Sequence, residues 1–170
     1  VTLAASFNAM ARAVQEAQAR LATSEERLAI TLHSIGDAIL ATDADQRITL
    51  MNPVAERLTG WPQAEAVGRP VAEVFTIVDA HTGAPVEVPV AHVTATGRTV
   101  ELADHVTLLA RDGIRYHISD SAAPIRDAHG ALQGVVLVFR DISDEYRLRQ
   151  ALANSELHFR TLANAGQVLV

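Results

Sequence analysis

The stretch RYHISDSAAP, residues 115–124, places one carboxylate where chemistry depends on which way a strand faces. Side chains two apart share a face of a strand, so Ile118, Asp120 and Ala122 stand opposite His117, Ser119, Ser121 and Ala123. If the Asp120 face is buried, its carboxylate must find a donor, such as Arg98, Arg115 or a backbone N–H, or else take up a proton. In VVLVFRDIS, residues 135–143, Val135, Leu137 and Phe139 share one side and Val136, Val138 and Arg140 the other. The charge of Arg140 turns the Phe139 side inward. This strand runs into Asp141, Ile142 and Ser143, where Asp141 can accept hydrogen bonds and Ser143 can cap a following helix. Trp61, in LTGWPQAE, can stack on a planar ligand or simply pack as a core aromatic. His92, in VPVAHVTATG, and His81, in a Gly- and Pro-containing loop, carry imidazoles able to ligate iron.

Other chemistry is excluded by what the chain lacks. With 0 cysteines it has no thiolate ligand, disulfide or covalent sulfur adduct to offer. It contains no Gly-rich phosphate loop, no metal-ligand spacing and no Ser/His/Asp set that its elements would assemble, so this region is not expected to be an enzyme. A net charge of −6 without a Lys/Arg cluster argues against nucleic acid as a partner. Apolar residues at 49% and charged residues at 20% predict a globular, soluble chain. No apolar run approaches the roughly 18 residues of a membrane span.

The elements that position these residues fall into three segments. Leu3, Phe7, Met10, Val14, Ala17, Leu21, Ser24 and Leu28 alternate at spacings of four and three, a heptad seam that predicts a parallel homodimer through the N-terminal helix. Packing of the same stripe back on its own domain is the alternative. Leu32 and Ile35 break the alternation, and Thr23 with Glu26 fits a capping box, so a helix restart is expected there. DAILATD and RITLMN read as two strands of a hairpin, with Asn52 capping a first short helix. From Pro53 to Thr96, repeated Gly and Pro predict several one- or two-turn helices. Three strands follow, at 100–113, 114–130 and 131–143, divided by Asp112-Gly113 and RDAHG. The expected fold is α+β: a five-stranded antiparallel sheet with short helices on one face, flanked by amphipathic helices. Residues 144–170 read as helical, and SELHFRTLANAGQVLV (155–170) aligns with SEERLAITLHSIGDAIL (24–40) once one residue is dropped.

NPVAERLTGWPQAEAVGRP (52–70) and DGIRYHISDSAAPIRDAHGALQGVVLVFRDIS (112–143) resemble a bacterial PAS sensor domain over residues 35–143. LAASFNAM (3–10) is similar to the end of a HAMP signalling domain, and residues 155–170 look like the start of a second PAS domain. The division this implies is 1–34 HAMP-end coiled-coil helix, 35–143 PAS domain, 144–170 output helix and second PAS start. The resemblance implies that Ile118 and Asp120 face inward and that Leu108 joins them. Asp120, Phe139, Ile118, Leu108, Leu137, Trp61 and His92 are then the candidate ligand contacts. RDIS is similar to the family's Asp-Ile-Thr motif, which makes Asp141, Ile142 and Ser143 the candidate signal relay. The cofactor stays open between none and flavin. Heme is disfavoured because the family's heme histidine sits on an earlier helix, where VAEVFTIV has no His, and the missing Cys excludes a light-driven cysteinyl adduct. The implied function is a sensory module of a membrane-associated signal-transduction protein, a two-component histidine kinase or a diguanylate cyclase, at the cytoplasmic side of the bacterial inner membrane. It would bind a small molecule and relay the signal through flanking dimeric helices. A ligand-free dimerisation and relay spacer is the competing reading, should Leu108, Ile118, Leu137 and Phe139 fill the pocket.

Overall fold

A computed structural model describes residues 2–34, 36–102 and 105–166, leaving aside the side chains of 29 and 32–34. It divides into two units, Val1–Gly36 and Asp37–Val170. The first is the helix α1, Leu3–Ser34, about 48 Å long at 1.5 Å per residue. Its stripe of Leu3, Phe7, Met10, Val14, Leu21 and Leu28 is exposed. The expected restart at Thr23 does not occur. Instead of capping a new helix, the Thr23 hydroxyl donates to the carbonyl of Ala19 at 2.9 Å, so the backbone continues unbroken past Glu26. Ile35 and the last four residues of the repeat at 155–170 lie outside the described residues.

The second unit opens with a hairpin, β1 (Ala38–Asp43) and β2 (Ile48–Met51). Asp43 Oδ1 accepts from the N–H groups of Asp45 and Arg47, both at 2.9 Å, and Gln46 takes φ 62°, the conformation that closes the turn. Asn52 caps α2 (Pro53–Thr59) as expected. Its Oδ1 accepts from Ala55 N and also from Ile39 N, each at 2.9 Å, and its Nδ2 donates to Asp37 O, so one side chain ties helix start to strand start. The short helices α3 (Gln63–Ala66), α4 (Val71–Val74) and α5 (Pro89–Thr96) follow, with β3 (Thr76–Asp79) between the last two. Then come β4 (Val100–Glu101), β5 (Val106–Leu109), β6 (Arg115–Arg126), β7 (Leu132–Asp141) and the exit helix α6 (Ser143–Gly166).

The sheet runs β2-β1-β7-β6-β5-β3, antiparallel throughout, with β4 also on β6. The five expected strands are present, and two short ones join them. β3 arises where the sequence predicts helix, because Thr76, Ile77 and Val78 are β-branched in succession and suit a pleated ladder better than a helical turn. The sequence predicts one strand over 100–113, where the structure has β4 and β5. Their pairings, Val100 with Ala122 and Val106 with Ile118, set six positions of one chain against four of the other, so the ladder is interrupted. Residues 103 and 104, within that interruption, lie outside the described residues.

One face of the sheet, under α5, is the core. Leu40, Leu108, Ile118, Ala122, Leu137 and Phe139 pack there with Val90 and Val93 of α5 and with Phe75, whose ring centroid is 5.0 Å from that of Phe139. β7 crosses β1 so closely at Gly134 that a Cβ there would stand 1.9 Å from the carbonyl oxygen of Thr42. Only glycine allows that approach.

Candidate functional site

Asp120 is paired with Phe139 across β6 and β7 and is 4% exposed. Its side chain follows Ile118 and Ala122 to the core face. Both carboxylate oxygens are buried, and neither has a hydrogen-bond partner. Neither Arg98 nor Arg115 reaches it; both are exposed. Desolvation by burial therefore pushes its pKa up from 3.8 to about 6. A group in this state can take up a proton or accept N–H or O–H donors from a bound molecule. The apolar candidates Leu108, Ile118, Leu137 and Phe139 are brought into the same cluster, each 1% exposed or less.

Two candidates lie elsewhere. Trp61 is half-buried against the core edge, and its ring is already covered by guanidinium groups, Arg111 at 4.2 Å and Arg69 at 5.1 Å from the centroid. These arginines are held in turn by Glu65 and Glu73. The indole is thus an anchor for a surface charge cluster rather than an open platform. His92 is exposed on α5 and borders a groove of about 230 Å³ with Val86, Glu87, Pro89, Val100 and Leu102, a lining that does not include Asp120. His81 meets His105 edge-on at 4.9 Å, and among the described residues no group of three His or acidic side chains is placed to hold a metal.

On the opposite sheet face, strand end and helix start form a junction. Asp141 Oδ1 accepts from Ser143 N at 2.9 Å and from Ser143 Oγ at 2.5 Å. Ser143 Oγ in turn accepts from the N–H of His117 at 3.0 Å, while Ile142 N donates to His117 O at 2.8 Å. Ser143 does not cap the helix. The first helical bond runs from Tyr146 N to the carbonyl of Ile142, so the helix begins one residue earlier than expected and the hydroxyl is turned back to the sheet. The His117 ring stacks on Tyr146, centroids 3.9 Å apart at 21°. Beside this junction Arg140 makes a two-point pair with Asp37, Nε to Oδ1 at 2.7 Å and Nη2 to Oδ2 at 3.1 Å. Sequence reading missed both contacts, since each joins segments that only the sheet brings together. A groove of about 480 Å³ opens here, bordered by Glu101, Ser119, Ser121, Val138, Arg140, Glu145 and Arg149; Asp120 and Phe139 border it too, although their side chains alternate to the core.

A family model described as PAS fold matches residues 32–147. The chain belongs to the PAS family. Its curated relatives are signalling proteins. It is 34% identical over 145 residues to the probable diguanylate cyclase DgcE of Escherichia coli strain K12, covering 85% of this chain and 13% of that one. It is 25% identical over 140 residues to the signal transduction histidine-protein kinase AtoS of the same organism, covering 82% and 21%. The chain thus spans a small fraction of each relative. The crystal structure of a PAS domain from Colwellia psychrerythraea superposes with a TM-score of 0.54 at 22% identity, over 70% of this chain and 97% of that one, which shows the shared fold. No described helix is long and apolar enough to cross a membrane.

Proposed function

We propose that this PAS domain is the sensory and relay module of a longer signalling protein of kinase or cyclic-dinucleotide type, without catalytic activity of its own. It accepts a small molecule at Asp120 and passes the change through Asp141, Ile142 and Ser143 to α6. The observation that carries the ligand reading is the orphan carboxylate: two buried acceptor oxygens without a donor, in an apolar cluster, leave a bound N–H or O–H group as the complement. The exposed stripe of α1 supports a parallel homodimer, and placement beside a membrane would come from segments of the parent protein. HAMP-like and second PAS segments at the two ends fit the same arrangement. Native mass spectrometry and an absorption spectrum of the purified chain test the ligand. A co-purifying organic molecule, lost in Asp120→Asn, is the expected result. A clean apoprotein mass with no visible band would remove the ligand and leave the relay.

That second reading, a ligand-free dimerisation and relay spacer, is favoured by the packing of Leu108, Ile118, Leu137 and Phe139 with Phe75, Val90 and Val93 in one cluster. The same experiment separates the two.

A further inference from the structure

α6 has 24 residues and not one is buried, so little holds it to the domain it leaves. Among the described residues, the only ring contact between α6 and the sheet is Tyr146 on His117. The main chain of His117 is engaged as well, donating to Ser143 Oγ and accepting from Ile142 N. One residue of β6 therefore grips the helix start three ways, and one of the three is titratable. We propose that His117 is a proton-operated latch: its neutral ring holds the first turn of α6 against the sheet, and protonation releases that turn.

The surroundings of the ring favour its neutral form. A face-to-face stack removes water from one side of the imidazole, and an imidazolium needs that water more than a neutral ring does. β5 supplies Thr107, whose Oγ1 lies 3.3 Å from Nδ1, and no charged side chain. β6 contributes the repelling Arg115 and β7 the attracting Asp141. Asp141 is already committed to Ser143, from which its Oδ1 accepts twice. The first two turns of α6 carry Asp144, Glu145, Arg147 and Arg149, with Asp144 and Arg147 paired to each other. Burial outweighs the pull of Asp141, and the His117 pKa is lowered from 6.5. The sign follows from linkage. A histidine depressed in the docked state favours docking above its ordinary pKa, and that contribution fades as pH falls below about 6.5. The latch needs no ligand at Asp120.

Amide hydrogen exchange on the full chain at pH 7.5 and pH 5, corrected for intrinsic rates, tests it. In the native protein, the first two turns of α6 should exchange several-fold faster at pH 5, while β1 and β7 stay protected. His117→Phe keeps an aromatic face without a titrating nitrogen and should hold the turn at both pH values. His117→Ala should free it at both. The latch is overturned if α6 exchange in the native chain is independent of pH, if His117→Phe retains the native pH dependence, or if His117→Ala loosens β1 and β7 as much as α6.

Discussion

Substituting Asn for Asp120 should change how stability depends on pH, by an amount the structure supplies. The carboxyl titrates at about 6 in the folded chain against an ordinary 3.8. Because its folded-state pKa is raised, the native state binds the proton more tightly than the unfolded one. Stability is therefore lost as pH rises from 3.8 through 6 and is level above that. At 1.36 kcal/mol per unit, the shift from 3.8 to about 6 is worth about 3 kcal/mol. The amide introduced by the substitution brings its own unsatisfied donors, but that cost does not vary with pH and drops out of the comparison. Urea unfolding of the chain freed of any co-purifying molecule, followed by the single tryptophan, Trp61, at intervals from pH 3.5 to 7.5 provides the measurement. The wild-type curve should fall relative to that of Asp120→Asn by most of those roughly 3 kcal/mol across the range. Parallel curves would refute the reasoning, since they would mean that a donor already satisfies the carboxylate.

Other outcomes follow from the same geometry. Gly134→Ala should destabilise the fold beyond the roughly 1–3 kcal/mol of ordinary overpacking, because the new methyl meets the Thr42 carbonyl at 1.9 Å and backbone must move; the thermal midpoint reads it. Phe139→Ala should cost about 3–5 kcal/mol in chemical unfolding, as a core truncation beside Phe75. Asp141→Ala removes only the exposed clasp on Ser143, so it should cost about 0.5–3 kcal/mol while altering effector output in the parent protein; normal output there would leave the clasp structural. Deleting residues 1–28 should turn a dimer into a monomer in sedimentation without unfolding the sheet, and an unchanged profile would dismiss the α1 seam.

Much of the core was legible because strand alternation is a strict two-residue rule. Arg140 alone oriented β7, and Val135, Leu137 and Phe139 are indeed buried while Arg140 reaches Asp37. Asn52 was legible as a cap for a similar reason: a short acceptor before Pro53 has few other uses. The failures share a cause in tertiary context. TIVD was hidden by the short helices around it, and its strand exists only because β5 offers an edge. The break between β4 and β5 depends on register against β6, which local sequence does not encode. Thr23 and Glu26 match a capping pattern, yet nothing before them stops α1, so the pattern alone did not make a boundary. At the candidate site, the isolation of Asp120 from every arginine could not be read without coordinates.

The unburied length of α6 has a mechanical meaning. At 1.5 Å per residue its 24 residues make an arm of about 36 Å, docked at its root and with no residue buried along its length. Tilting such an arm by about 5° about its root sweeps the far tip through about 3 Å, whereas the residues at the root shift by only a fraction of an ångström. A disturbance too small to disrupt the packing of the sheet would thus arrive at Gly166 magnified, and whatever is joined there would experience it as a change of position.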